Sequence, residues 1–321
     1  MRRGTLLLLA SLLSAGASAQ GEAEPDHTFS VLTYNVAGLP EGISGSTPFL
    51  NTVQISPLLD AFDLVAVQED FAYHEDLISA LRHPHHSVKD TRPGRWGELV
   101  GYAFGDGLST FSRAPFSYFT RITWNDCFGT FSNGSDCLTP KGFSVARVWL
   151  ARGVFVDVYD WHADSGNAPE DQATRRANVR QLAAFVAASS AGNAVIVLGD
   201  TNSRYTRAGD VLPELLATAL LTDVWVELER GGVVPPVGPT LRSGCDADPA
   251  GGECERVDKI LYRSGARVEL TAIATDVPAH FVDAAGAPLS DHQPLSARFS
   301  WRVLAEPEAE ARSGAPGTGT P

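Results

Sequence analysis

The chain has 321 residues, 44% of them hydrophobic, enough apolar side chain for one large domain or two small ones. Its formal charge of −13 excludes the broad basic field with which nucleic-acid-binding modules hold a phosphate backbone. A nuclease is not excluded, because divalent cations supply positive charge locally.

Met1-Arg2-Arg3, the apolar run Leu6–Leu13 and Ala17-Ser18-Ala19 read as the three regions of a secretory signal peptide spanning residues 1–19. The apolar run is too short to cross a bilayer, and no later segment has a membrane-spanning pattern. Cleavage after Ala19 implies a secreted or periplasmic protein, two charges more negative once Arg2 and Arg3 are gone. In such a compartment the pairs Cys127/Cys137 and Cys245/Cys254 are expected to form two local disulfides. A zinc site is disfavoured, because neither pair has CxxC spacing and no histidine lies beside them.

Phe29–Tyr34 alternates as a strand and ends at Asn35. A Gly/Ser/Pro loop over 38–48 leads to a short helix at Val53–Phe62, then a buried strand at Leu64–Val67 that ends in Gln68-Glu69. A helix near His74–Leu81 and a long polar loop over 82–107 follow. Strands are expected near Leu108–Phe111, Phe116–Ile122, Phe143–Leu150 and Val154–Tyr159, the last running into Asp160-Trp161-His162. Apolar spacing through Val179, Leu182, Phe185 and Val186 predicts a helix over 172–188. Ala194–Leu198 is a fully apolar strand ending Gly199-Asp200-Thr201-Asn202, and Val257–Tyr262 and Val268–Ile273 add two more. One catalytic domain over 27–302 and a disordered tail over 303–321 account for the chain.

Several apolar runs thus end in Asn, Asp, Glu or His, which suggests a hydrolytic metal site at one rim of a sheet core. Magnesium prefers oxygen ligands, commonly one or two carboxylates. Glu69 can be one such ligand and the amide oxygen of Asn35 another. Asp200 and Asn202, two residues apart, share one side of an extended segment and can hold a metal or orient a water. His292 is the natural general base, and His162 can bond a phosphoryl oxygen. Singly, each has a structural reading: Asn or Asp after a strand is common turn chemistry, Asp291-His292 beside Pro294 fits a surface turn, and His162 beside Trp161 fits a half-buried histidine. Together they form a pattern that turns do not explain.

Thr33-Tyr34-Asn35, Gln68-Glu69, Trp161-His162, Gly199-Asp200-Thr201-Asn202, Val257-Asp258-Lys259-Ile260 and Ser290-Asp291-His292 stand in the order and approximate spacing of the endonuclease/exonuclease/phosphatase superfamily, and the chain resembles it over 29–301. That group includes deoxyribonucleases, inositol-polyphosphate phosphatases and neutral sphingomyelinases. The resemblance implies an α+β fold, a four-layer α/β/β/α sandwich of two packed mixed sheets. It implies that Asn35 and Glu69 bind the metal and that Asp200 and Asn202 orient the nucleophile and contact phosphate. By the same likeness His162 binds phosphate, Asp258 pairs with His292, and Asp291 sits near the metal. The implied cofactor is Mg2+, with Mn2+ or Ca2+ as substitutes, and the implied reaction is in-line attack of water on phosphorus. Thr201, Asp160 and Lys259 depart from the residues usual at those positions.

Lys141-Gly142-Phe143 and the stretch His162-Ala163-Asp164-Ser165 resemble neutral sphingomyelinases, with Lys141 as a phosphate contact. The expected protein is a monomeric phosphodiesterase for a phospholipid or sphingomyelin-type substrate, with Trp124, Phe128 and Phe131 near the first disulfide as candidate lipid contacts. The alternative is a secreted nuclease using Arg82, Lys89, Arg92 and Arg95, with nucleic acid entering as substrate only. A non-catalytic binding protein of the same fold is a third reading, disfavoured because every expected catalytic position is filled. His83, His85 and His86 invite a metal, but the sequence offers no carboxylate beside them.

Overall fold

The computed structural model describes residues 27–44, 46–94, 104–238 and 254–305. The expected signal peptide, Arg95, Cys245 and the tail beyond residue 305 lie outside the described residues. No described helix is long and apolar enough to cross a membrane.

Two six-stranded sheets pack face to face. The first has the order β11-β12-β1-β2-β4-β3 and the second β5-β6-β7-β8-β10-β9. The first comprises β1 (His27–Asn35), β2 (Leu64–Gln68), β3 (His85–His86), β4 (Ser109–Ser112), β11 (Val268–Asp276) and β12 (Leu295–Val303). The second comprises β5 (Phe116–Thr123), β6 (Gly142–Ala151), β7 (Val154–His162), β8 (Val195–Asp200), β9 (Thr222–Asp223) and β10 (Asp258–Arg263). Within the first sheet β1 and β2 run parallel, and within the second β7 and β8 do; the other ladders are antiparallel. Both sheets are therefore mixed.

The apolar runs divide by the period of two that a pleated strand imposes. Val31, Ala66, Ile196 and Leu198 point into the inter-sheet core with Val158, Ile260, Leu270 and Phe299. Their neighbours Leu32, Val65 and Val67 face outward onto helices α1 (Pro48–Leu58) and α2 (His74–Ile78). Val195 and Val197 face the opposite outer layer, α3 (Pro169–Ser189), α4 (Leu212–Ala219) and α5 (Val224–Arg230). Four layers result, as the resemblance implies.

Local chemistry sets the helix starts. α1 and α3 carry proline in their first turn, and Asp171 in α3 accepts a bond from the Ala168 backbone N–H at 2.7 Å. Asp223 caps α5, accepting from Trp225 N at 2.8 Å and Val226 N at 3.3 Å. α4, α5 and β12 are additional to the elements read from the sequence, and α1 begins five residues earlier than expected. The expected long loop contains β3 and a buried polar network: His83 Nε2 donates to Phe62 O at 2.8 Å, and Arg121 Nη1 donates to Asp106 at 2.6 and 2.8 Å. His86 Nε2 donates in turn to His83 O at 2.7 Å, and His85 meets the Phe116 ring edge-on.

Strand direction gathers the polar ends. Parallel pairing sets Asn35 beside Gln68 and His162 beside Asp200. Antiparallel β10 starts at the same rim, with Asp258 opposite Asp200. β12, antiparallel to β1, begins with Leu295 opposite Thr33, which brings His292 to that rim as well.

Candidate active site

Asn35, Glu69, Lys141, His162, Asp200, Asn202, Asp258 and His292 meet at this rim. Asp200 is the hub. Its Oδ1 accepts from Asn202 N at 2.9 Å, and its Oδ2 accepts from the side-chain nitrogens of Asn35 and Asn202 at 3.1 and 3.3 Å. Nε2 of His162 lies 3.4 Å from the same oxygen and Nε2 of His292 lies 3.6 Å away. Burial works to raise the Asp200 pKa, but the His292 charge, His162 and the Asn202 amide overcome it and hold the carboxyl far below the usual range.

Asp200 and Asn202 meet through a turn, not through an extended segment as expected. Asn202 has a φ of 48°, in the left-handed region, so its side chain folds back and also donates to Ala163 O at 3.1 Å. Glu69 shares that conformation, with φ of 58° immediately after β2. Its carbonyl lies 2.5 Å from where a Cβ on residue 38 would stand, so Gly38 permits the close approach.

His292 donates from Nδ1 to Asp258 at 2.9 Å, leaving Nε2 toward the cleft. Burial works to lower its pKa, yet the carboxylates of Asp258, Asp200 and Asp291 raise it well above the ordinary imidazole range. Burial and the neighbouring Asp200 push Asp258 up, against the opposing charge of His292.

On the far side of the cleft, Lys141 is buried with its Nζ 2.5 Å from Asp136 and 3.1 Å from His162 Nε2. Burial alone would depress this ammonium; Asp136 and Glu69 outweigh it and raise its pKa. Asp136 also accepts from Ser165 N at 3.0 Å, and its neighbour Cys137 is bridged to Cys127. Cys254 is disulfide-bonded as well, its expected partner Cys245 lying outside the described residues. Burial and the Asp136 charge push the Asp164 carboxyl up to about 7. Trp124 is buried, its indole N–H donating to His162 O at 2.7 Å, so it supports the site from behind and is unavailable to lipid.

Beneath the site, Thr33 donates to Gln68 at 3.2 Å and Gln68 Nε2 to Asp160 at 2.7 Å, a buried polar chain from one sheet to the other. Sequence reasoning assigned no role to Gln68, Asp136 or Asp160.

The donor set suits a hard divalent cation. Glu69 lies 3.2 Å from Asn35 Nδ2, and among the described residues Asp200, Asp258 and His292 form a group whose ligand atoms lie within 4.8 Å of one another. Asn35 turns its nitrogen toward the carboxylates, while its oxygen accepts from Ala37 N at 3.0 Å. Ligation through that oxygen requires a half-turn of the amide. Asp291 is exposed and bonds Ser290 Oγ at 3.4 Å. A pocket beside Glu69 and Lys141 is walled by Leu39, Ile43, Phe71, Phe104 and Leu138.

The "Endonuclease/Exonuclease/phosphatase family" matches residues 32–292. A sphingomyelinase of Mycobacterium bovis is 39% identical over 277 residues, which are 85% of this chain and 53% of that protein. The chain thus spans about half the length of the curated relative it matches. A Staphylococcus aureus beta toxin variant with bound magnesium ions has a TM-score of 0.58 at 17% identity, over 84% of this chain and 99% of the toxin. D. rerio TDP2 with a single-strand DNA product has a TM-score of 0.59 at 18% identity, over 85% of this chain and 99% of that one. These two show the shared fold. The family match covers every strand end that builds the rim, and the chain belongs to the endonuclease/exonuclease/phosphatase family.

Proposed function

We propose that the chain is an exported, divalent-metal-dependent phosphodiesterase that cleaves a sphingomyelin-type phospholipid. The observation that carries the reading is the 39% identity to a sphingomyelinase across 85% of this chain, beside the rim where Lys141, His162, Asp200 and His292 converge.

In this reading it is the neutral form of His292 that removes the proton from the attacking water. Asp258 holds Nδ1, so Nε2 is the nitrogen that takes it. Asp200 and Asn202 fix the water's direction, and Lys141 and His162 bind the non-bridging phosphoryl oxygens. Water forms the new P–O bond, the bond to the lipid oxygen breaks, the departing alkoxide takes up a proton from solvent, and phosphocholine and ceramide are released. Glu69, Asn35 after its amide turns, and Asp291 would hold a Mg2+ ion, which when bound would neutralise charge developing on the phosphoryl group.

Two features favour lipid over nucleic acid. The pocket beside Lys141 has apolar walls. Two of the cations that a nuclease would need are engaged by carboxylates: Arg92 is bidentate on Asp90, and Lys89 lies 3.8 Å from the buried Asp70. A panel of sphingomyelin, phosphatidylcholine, plasmid DNA, RNA and inositol phosphates, assayed with Mg2+, tests the reading. Phosphocholine release without DNA nicking is expected; nicking without phosphocholine release would establish the nuclease instead.

A further inference from the structure

The mouth of the pocket carries an apolar feature that the hydrolytic residues do not use. Helix α1 buries Asn51, Thr52, Ile55 and Ser56 against the fold, yet leaves Phe49, Leu50 and Val53 exposed by 46%, 56% and 42%. Their spacing puts all three on one helix face. Isolated apolar side chains are ordinary on a surface, whereas a contiguous group beside a functional pocket marks a contact surface.

The face is continuous with the pocket. Tyr73 accepts a bond from Glu41 N at 2.9 Å, and its ring centre lies 6.1 Å from that of Phe49. Glu41 belongs to the loop whose Leu39 and Ile43 wall the pocket alongside Glu69 and Lys141, and Ile43 is 54% exposed. Opposite, the Cys127–Cys137 loop contributes Gly134 and Ser135 to the pocket wall and holds Phe131 72% exposed. Two apolar protrusions thus flank one opening.

Charge selects the occupant. Between residues 36 and 58 the one charged side chain is Glu41, and between 128 and 139 it is the buried Asp136. No lysine or arginine lies in either protrusion, on a chain with a formal charge of −13. Such a surface lacks the polybasic character that anionic lipids recruit, and its apolar side chains suit the interface of an uncharged or zwitterionic bilayer.

We propose that Ile43, Phe49, Leu50, Val53 and Phe131 form a docking face that inserts into zwitterionic phospholipid bilayers and seats the pocket over the headgroups. The inference rests on the lipid-substrate reading. It adds where the bilayer is met and which surface charge is preferred.

The test compares the full chain with the triple variant Leu50→Ser, Val53→Ser, Phe131→Ser, none of which walls the pocket. Sedimentation with phosphatidylcholine/sphingomyelin vesicles and hydrolysis of vesicle sphingomyelin should both fall at least about tenfold, given the apolar area removed. Turnover of the soluble diester bis-p-nitrophenyl phosphate should stay unchanged, which also reports that the variant is folded. Binding by the native chain should survive high salt and weaken as phosphatidylserine is added. Unchanged vesicle binding by the variant would overturn the proposal. So would binding that requires anionic lipid, or a native dimer that the substitutions render monomeric without altering lipid binding. Failure of the native chain to cleave sphingomyelin in detergent micelles, with vesicle binding intact, would sink the substrate reading and leave the docking face standing.

Discussion

Asp200 and Asp258 face each other as Cα partners across the β8–β10 ladder, and His292 spans them, 2.9 Å from Asp258 and 3.6 Å from Asp200. Like charges directly opposite on a sheet repel; the imidazole between them, held on Asp258 at Nδ1, turns a liability into an ordered triad. His292→Ala should therefore act twice. Hydrolysis should fall by about two to four orders of magnitude, the usual contribution of a positioned acid or base. Thermal stability should fall too, and adding Asp258→Asn should recover stability without recovering rate. Wild-type turnover of His292→Ala would remove the histidine from the chemistry.

Metal removal is a separate probe. EDTA should abolish hydrolysis and Mg2+ should restore it, since in the proposed reading a divalent cation held by Glu69 would neutralise the charge developing on the phosphoryl group. Glu69→Gln keeps the size of the side chain and removes its charge. It should raise the Mg2+ concentration for half-maximal rate by at least about tenfold, in line with the 1.4 kcal/mol per decade of affinity. Full activity in EDTA would be incompatible with the proposed chemistry.

Lys141 and Asp136 form a buried ion pair at 2.5 Å. Removing one member of such a pair strands the other, at a cost of about 3–5 kcal/mol. Lys141→Met should lower both stability and activity. The double variant Asp136→Asn, Lys141→Met should regain most of the stability and none of the activity, because the proposed phosphate contact is still missing. Denaturant melts and steady-state kinetics on the same preparations separate the two effects.

Asp160 lies between the sheets with one oxygen on Gln68 and the other without a partner. Burial pushes its carboxyl well above the ordinary range. The folded state thus retains a proton that the unfolded chain loses near pH ~4. In that window the folded form binds more protons, so stability declines as pH rises through the folded pKa. Asparagine does not titrate and can still accept from Gln68. Asp160→Asn should melt several degrees higher than wild type at about pH 8 and show little advantage at about pH 4. A difference in melting temperature that stays flat with pH would contradict the buried-acid account.

Much of the rim was legible because strands buried on both faces read as uninterrupted apolar runs. Leu64–Val67 and Val195–Leu198 announce themselves, and the polar residues after them stand out by contrast. β12 carried a readable alternation in Leu295-Ser296-Ala297-Arg298-Phe299-Ser300-Trp301, hidden by the motif before it and the change in composition after it. α4 and α5 are eight and seven residues long, about two turns each, too short for a helical apolar period to repeat. The polar 82–107 segment suggested a solvated loop, whereas Ser87, Asp90 and Asp106 are buried, Ser87 Oγ accepting from Thr110 N at 2.9 Å and Asp90 from Asp106 N at 3.0 Å. Asp136 had no local signal at all: its importance comes from the chain fold that delivers it to Lys141.

Asn35 and Glu69 extend from one sheet, and His162, Asp200 and Asp258 from the other. Each half keeps its own hydrogen-bonded ladder and neither is competent alone. Sliding one sheet over the other by a single residue, about 3.3 Å, would leave both ladders intact and dismantle the chemistry. Inactivation can therefore precede melting, and turnover rate is a finer gauge of inter-sheet alignment than any spectroscopic measure of strand content.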